Sequence, residues 1–344
     1  MPMRPELTRR ATLFAAGLLA LALCAGCGEV HARGTVGPPR PLAVAVGGPP
    51  NALYAPLYAA EADGEFRAGA LAVTISSSPS PLAALESHRV GVALASEPDL
   101  LAARGAGDQL VAIAALVSQP LDAIVSLARR PVRGAAQLAG HTVATDGTPL
   151  SDAALATALA GAGVPPARVR RIAVGANLAR ALRARRAIAT IGPWPLEKVE
   201  LAAARRPSFV LALPHVGVPT YSGLVVVVRV GEAHYDANLL RAFLQSLIRG
   251  AHSAASRPAA TAATLSRLEP ALSPATERAL LATLAPLADS ATASRPFGYQ
   301  NASAWVTFAA WMHAHGLLPD TANPGYAITN EFLPGQGEQI VTSS

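Results

Sequence analysis

From Leu42 onward the chain alternates between short β-rich runs and longer amphipathic ones, and this alternation limits the fold more than any other feature. The runs at 42–46, 71–75, 90–95 and 110–115 read as strands, separated by helical patterns at 53–63, 81–87 and 98–104. A second set follows, with β-rich runs at 141–145, 169–174, 188–191 and 209–211 and helical ones at 149–160, 177–183 and 196–204. Repeated strand–helix–strand units predict an α/β chain with mostly parallel sheets, because parallel strands need a covering crossover. Leu224-Val225-Val226-Val227-Val228 then forms one more strand, apolar on both faces. Beyond it the pattern turns helical, at 236–256, 259–268, 273–287 and 302–315.

This order predicts two α/β lobes. The chain leaves the first lobe, builds the second and returns, with crossings near 118–127 and 219–228. The expected divisions are 42–118 plus 224–334 for the first lobe and 119–223 for the second with its crossings. Ligands of open α/β sheets bind at the carboxyl ends of strands. Two such edges facing each other make a cleft that closes about a hinge.

The first 27 residues carry a separate message. Arg4, Arg9 and Arg10 precede an apolar run at 11–23, the length of a signal-peptide core and too short to span a bilayer. The run ends in Cys24-Ala25-Gly26-Cys27, which resembles a bacterial lipobox in which Cys27 is lipidated and becomes the mature N-terminus. Cys24 stands where such motifs most often carry Leu. The expectation is a 1–26 signal peptide, a Gly/Pro-rich flexible tether over 27–41, and a 335–344 C-terminal tail. A plain secretory cleavage is the alternative, and Thr8-Arg9-Arg10-Ala11-Thr12-Leu13-Phe14 also resembles a twin-arginine export signal.

Composition removes several function classes. Of two cysteines only Cys27 survives cleavage, so the mature chain has no disulfide framework and no zinc site built from cysteine pairs. The formal net charge is +6, but the basic residues are arginines in scattered pairs, with Lys198 the single lysine. No aromatic-interleaved basic stripe is present, so nucleic acid is not an expected partner.

Several segments resemble the NMT1/THI5-like (SsuA/THI5-like) family of ABC-importer solute-binding proteins, relatives of the aliphatic-sulfonate and thiamine-precursor receptors. They are Pro50-Asn51-Ala52-Leu53-Tyr54-Ala55-Pro56-Leu57-Tyr58-Ala59-Ala60, Gly64-Glu65-Phe66, Gly69-Ala70-Leu71-Ala72-Val73 and Ala95-Ser96-Glu97-Pro98-Asp99, followed by Leu138-Ala139-Gly140-His141-Thr142-Val143, Gly217-Val218-Pro219-Thr220-Tyr221 and Thr329-Asn330-Glu331-Phe332-Leu333-Pro334. The resemblance implies a periplasmic-binding-protein-like type II fold, with a hinge and an interlobe ligand cleft. It implies a monomer outside the cytoplasm that binds a small-molecule solute and serves an ABC permease and its ATPase, with no cofactor. Ile191-Gly192-Pro193-Trp194-Pro195 departs from the Gly-Gly-aromatic-Trp-Asn segment of many relatives.

Candidate ligand residues follow the strand ends. Asn51 and Tyr54 come just after the first strand, where an amide and a phenol can hydrogen-bond a solute; capping and packing are the competing roles. Ser96 and Glu97 follow the 90–95 strand, and a carboxylate there can pair with an amine or an amino-substituted ring; Glu97 can equally be a first-turn residue favoured by the helix dipole. Asp146-Gly147-Thr148 precedes a helix with Pro at its start, offering free N–H groups or a cap. Trp194 suits stacking on a planar ligand, and Tyr221 is a hinge residue or a cleft wall. Trp305, Phe308 and Trp311 fall at core spacing. His313 and His315 do not share a helix face, so no metal site is expected.

The function expected is that of a lipid-anchored receptor for a small planar heterocycle such as a thiamine pyrimidine precursor, stacked on Trp194 and held by Glu97. Alternatives are a receptor for aliphatic sulfonate, taurine or nitrate, a sensor subunit, and a pyrimidine-precursor-synthesising enzyme. The enzyme chemistry would need a cofactor lysine and a cysteine-rich motif, and the chain offers only Lys198.

Overall fold

The structure is a computed structural model that describes residues 38–288, 295–319 and 324–336. Cys27, the signal segment, most of the tether and the end of the C-terminal tail lie outside the described residues. In chain order the strands are β1 (Arg40–Val46), β2 (Leu71–Ser77), β3 (Val92–Ala95), β4 (Leu110–Val117) and β5 (Asp122–Leu127). Then come β6 (Thr142–Thr145), β7 (Arg170–Ala173), β8 (Ala189–Pro193), β9 (Ser208–Ala212) and β10 (Leu224–Arg229).

They form two five-stranded sheets of the same design, β2-β1-β3-β10-β4 and β7-β6-β8-β5-β9. β1 runs parallel to β2 and β3, while β10 lies antiparallel between β3 and β4, with Val226 opposite Leu94 and Ala114. In the second sheet β6 runs parallel to β7 and β8, and β5 lies antiparallel between β8 and β9, with Ile124 opposite Ile191 and Leu211. Each sheet thus has its one reversed strand in the fourth place, and that strand is the one fed by the chain arriving from the other lobe. The result is an α/β fold of two mixed-sheet lobes, of the periplasmic-binding-protein-like type II class.

The sequence reading takes 118–127 as a crossing and so misses β5, although Pro120 stands just before the strand. The link between β4 and β5 is only the four residues 118–121. The sequence pattern ends a strand at 191 and starts a helix at 196; instead β8 runs on to Pro193 and the helix starts at Trp194 (Trp194–Ala203). Pro195 falls in its first turn, where a missing N–H costs no intrahelical bond.

β10 shows why a strand of consecutive valines suits this place. Val225 and Val227 enter one apolar cluster, Leu224, Val226 and Val228 another, and neither face meets water. The first cluster spans both lobes. It joins Leu100 and Leu101 of the first lobe, Leu155 and Leu159 of the second, and Trp305, Phe308 and Met312 of the Ala302–Ala314 helix. That helix also reaches the second lobe through Thr157, whose hydroxyl accepts the Trp311 indole N–H at 3.1 Å and lies 2.9 Å from His315 Nε2.

The tightest helix contact in the first lobe depends on a glycine. Gly250, in the Ala237–Ser256 helix, lies so close to the Ala55–Ala62 helix that a Cβ there would sit 2.1 Å from the Pro56 carbonyl oxygen and 2.7 Å from Ala60 Cβ. The obstacle is backbone, which cannot swing aside. Gly250→Ala is expected to lower stability by about 1–3 kcal/mol, the usual cost of overpacking, despite the better helix propensity of alanine. Denaturant unfolding of the ligand-free protein measures it, and an unchanged or raised midpoint would refute the close approach.

Candidate functional site: the interlobe cleft

On the first lobe, the carboxyl ends of β1 and β3 and the amino end of β10 border a cavity of about 460 Å3 lined by Gly47, Tyr54, Ser80, Ser96, Asp99 and Gly223, among others. Its size is that of a small-molecule site. Tyr54 is buried with its phenol hydrogen-bonded to the Gly47 backbone, and burial raises its pKa, favouring the neutral phenol. Gly47 has no side chain to block this; a Cβ there would stand 3.2 Å from the phenol oxygen. Asn51 is occupied locally: its Oδ1 accepts the Leu53 N–H at 2.8 Å and its Nδ2 donates to the Pro49 carbonyl at 2.9 Å. Ser96 caps the Glu97–Gly105 helix by accepting the Asp99 N–H at 3.2 Å, while its hydroxyl donates to Asp99 Oδ2 at 2.6 Å. A cap of this kind contributes about 1 kcal/mol. Here it also aims the Asp99 carboxylate.

Glu97 does something different. It is 1 % exposed, and its Oε2 accepts the backbone N–H of Ser222 at 2.7 Å, while its own N–H donates to the Ser222 carbonyl at 3.0 Å. Burial pushes its pKa up to about 8, against the opposing pull of the Ser222 hydrogen bonds. At neutral pH Glu97 therefore carries a proton. With Oε2 taken by the amide, the proton belongs on Oε1, which has no partner in the structure.

Ser222 lies in the returning crossing, and its neighbour Tyr221 reaches into the second lobe. The Tyr221 hydroxyl donates to Asp122 Oδ2 at 2.5 Å, and its ring stacks on Phe308 with 4.5 Å between centroids. Asp122 opens β5, and burial raises its pKa to about 6, opposed by the Tyr221 bond and reinforced by the charges of Asp146 and Asp99. Asp146 closes β6 in the second lobe, and its Oδ1 accepts both the N–H and the hydroxyl of Thr148 at 2.9 Å. Thr148 in turn caps the Pro149–Gly161 helix through the Ser151 N–H at 3.2 Å. Gly147 sits at φ +88°, a left-handed turn between Asp146 and that cap.

Trp194 donates its backbone N–H to the Leu121 carbonyl at 3.0 Å, and its ring packs among Ala123, Ala179 and Leu201 with the Lys198 ammonium 5.5 Å from the ring centroid. It is 9 % exposed, more a wall of the second lobe's core than an open stacking surface.

The structure therefore draws Tyr54, Ser96, Glu97, Asp146 and Tyr221 towards one edge-to-edge region, and gives Asn51 and Thr148 full local partners. It adds two residues that the sequence reading did not select, Asp99 and Asp122. Asp99 carried a readable signal, a serine cap three residues before an acid. Asp122 was hidden because its strand was read as linker. No lysine or arginine lines the cavity. Among the described residues no group of three or more histidine, cysteine or acidic side chains is placed to hold a metal ion.

Comparison with known proteins agrees with the fold. The NMT1/THI5-like family model matches residues 51–261. A formylaminopyrimidine-binding protein of Halalkalibacterium halodurans is 26 % identical over 275 residues, covering 78 % of this chain and 83 % of the relative. The periplasmic aliphatic-sulphonate-binding protein SsuA of Escherichia coli superposes with a TM-score of 0.67 at 17 % identity, over 85 % of this chain and 92 % of its own. The nitrate-binding protein NrtA of Synechocystis gives 0.62 at 13 % identity, over 85 % and 86 %. The chain belongs to the NMT1/THI5-like family.

Proposed function

We propose that this extracytoplasmic receptor takes a small planar nitrogen heterocycle bearing N–H donors, of the aminopyrimidine class, and delivers it to an ABC permease and its ATPase. The observation that carries the reading is the charge of the cleft. The charges of Asp99 from one lobe and of Asp146 from the other both act on Asp122, and the cavity lining holds no cation. Carboxylates so placed accept N–H groups strongly and repel sulfonate or nitrate. The relative whose name specifies a formylaminopyrimidine supports the same class. The structural neighbours named for sulfonate and nitrate share the fold at lower identity, and the acidic edge disfavours their ligands here.

In this reading Asp99, Asp122 and Asp146 hold the donors and Tyr54 forms an aromatic wall. Ser96, Gly147 and Thr148 orient the carboxylates, with Asn51 shaping the turn behind Tyr54. Glu97 and Tyr221 set the returning crossing, and Trp194 backs the cleft from the second lobe. The lobes, 42–118 plus 224–334 and 119–223, close about the two crossings, which touch where a Cβ on Gly223 would lie 2.6 Å from Leu121 Cγ. The receptor works as a monomer, held to the membrane by acyl chains on Cys27.

Titration calorimetry should find binding of an aminopyrimidine and none of an alkanesulfonate or nitrate. Asp122→Asn and Asp146→Asn should each weaken binding by about 10- to 100-fold, the worth of one charge-assisted hydrogen bond, with stability unchanged or raised. Glu97→Gln and Trp194→Ala should lower stability as well as affinity. Tight sulfonate or nitrate binding would overturn the ligand class.

The pH dependence has a definite sign. Glu97, Glu197 and Asp122 have folded pKa values raised to about 8, about 7 and about 6, all through burial. Such groups add stability that is full below their unfolded pKa values and is lost as pH rises through the folded ones. The melting temperature of the ligand-free protein should therefore fall between about pH 5 and 9, and Glu97→Gln should flatten the upper part of that fall. Affinity should move the other way. Asp122, faced by Tyr221, Asp146 and Asp99, must be ionised to accept two donors, so binding should strengthen as pH rises through about 6. A melting temperature that climbs across this range would contradict the assignment.

Mass spectrometry of the exported protein should find the mature N-terminus at an acylated Cys27, since two acyl chains suffice for stable anchoring. An unmodified N-terminus elsewhere would refute the anchor.

A further inference from the structure

The second lobe is electrically polarised along its strands. Between residues 119 and 223 stand thirteen cationic side chains against five carboxylates, a surplus of eight in a chain whose formal total is +6. The five acids are Asp122, Asp146, Asp152, Glu197 and Glu200. Asp122 and Asp146 lie at the cleft edge, Asp152 is ion-paired with Arg171, and Glu197 is buried against Thr190.

The opposite edge of the sheet is made by the amino ends of β6, β7, β8 and β9 and the carboxyl end of β5. Arg129 and Arg130 follow β5, Arg168 and Arg170 flank the start of β7, Arg185 and Arg186 precede β8, and Arg205 and Arg206 precede β9. All are exposed except the half-buried Arg206. No acidic residue occurs in 123–145, 153–196 or 201–223; the exception beside this edge is Glu200, exposed in the last turn of the Trp194–Ala203 helix that leads to β9 and acted on by the charge of Arg183. The turns themselves favour other residues: Arg185 and Arg205 both occupy the left-handed region at φ 55°, where glycine or asparagine is more comfortable. Arginines of the first lobe are treated differently. Four of the five ion pairs among the described residues lie there, through Arg40, Arg229, Arg249 and Arg257.

We propose that this arginine edge, at the end of the second lobe remote from the cleft, docks on an anionic phospholipid surface. Guanidinium groups match phosphate oxygens in pairs. Basic residues spread over loops, without an apolar wedge, suit a flat anionic surface. The chain works outside the cytoplasm, beside a membrane. The inference rests on that placement and on no particular solute.

Full-length protein is mixed with vesicles of phosphatidylcholine alone or with added phosphatidylglycerol, and bound protein is read by co-sedimentation. Binding to the anionic vesicles should be at least about tenfold stronger in about 0.05 M salt and should lose that preference near 0.5 M. The combined Arg129→Gln, Arg130→Gln, Arg185→Gln and Arg186→Gln variant should lose the preference while keeping its melting temperature and solute binding. Arg67→Gln with Arg267→Gln, exposed arginines of the first lobe, should keep it. Cys27→Ser should reduce binding to both vesicle types alike, so failure of the anchor is separable from failure of the edge. Equal wild-type binding to both lipids, a preference that survives high salt, or one that survives in the edge variant would overturn the proposal. So would dependence of the edge arginines on permease-containing vesicles alone, which would give this surface to the permease. Should the edge variant melt early, the lipid and salt dependence of the wild type decides the matter.

Discussion

The returning crossing is fixed by one buried pairing. Ser222 exchanges two hydrogen bonds with Glu97, one through the carboxyl group and one through the backbone. That pairing sets the start of β10 beside the end of β3 and so puts Gly223 and Leu224 at the rim of the cavity. Tyr221, one residue earlier, carries the constraint into the second lobe through Asp122. A carboxyl from each lobe is thereby tied to the same two residues of linker. A hinge built this way has few alternatives: moving Ser222 would leave Glu97 Oε2 as a second buried oxygen without a donor, at the cost of an unsatisfied buried group.

The cleft is held in a state that is poor for the empty protein. Asp122 sits among carboxylates and is driven towards protonation, and burial pushes the Glu97 pKa up to about 8, favouring its protonated form near neutrality. Like charges drawn together in partial burial lower the stability of the folded chain. A ligand that brings N–H donors relieves that repulsion, so part of its binding free energy comes from a strain already present. Sites tuned for function commonly sit below the stability optimum in this way. The same lobe keeps its arginines at the far edge, where they cannot neutralise the cleft.

Much of the architecture was legible in the sequence because it rests on hydrophobic periodicity. The alternation of β-rich and amphipathic runs, the valine run of β10 and the helical C-terminal part all come from residues that have one apolar side or two. What stayed hidden was hidden for physical reasons. β5 is six residues long and lies inside the stretch 118–127 that reads as a crossing, although Pro120 stands just before it. The helical pattern reads from 196 rather than from Trp194, yet Pro195 is tolerated in a first helical turn. At the site, strand ends pointed to Ser96, Glu97 and Asp146. Sequence could not say that Glu97 would face a backbone amide of the other crossing, since that contact spans 125 positions. Asp99 and Asp122 acquire their meaning only when two lobes bring them together.

That last point decides how far fold likeness reaches. SsuA and NrtA share this chain's topology at 17 % and 13 % identity, and their names specify anions. A fold places strand ends opposite one another; it does not choose the side chains on them. Here the cavity lining contains Asp99, and the charges of Asp99 and Asp146 both act on Asp122, with no arginine or lysine in the lining. Converting such a cleft to hold an anion would require neutralising several carboxylates and supplying cations, because each unpaired buried charge costs more than one hydrogen bond returns. The charge on the edges, not the shape of the lobes, is therefore what separates a receptor for a donor-bearing heterocycle from one for a sulfonate.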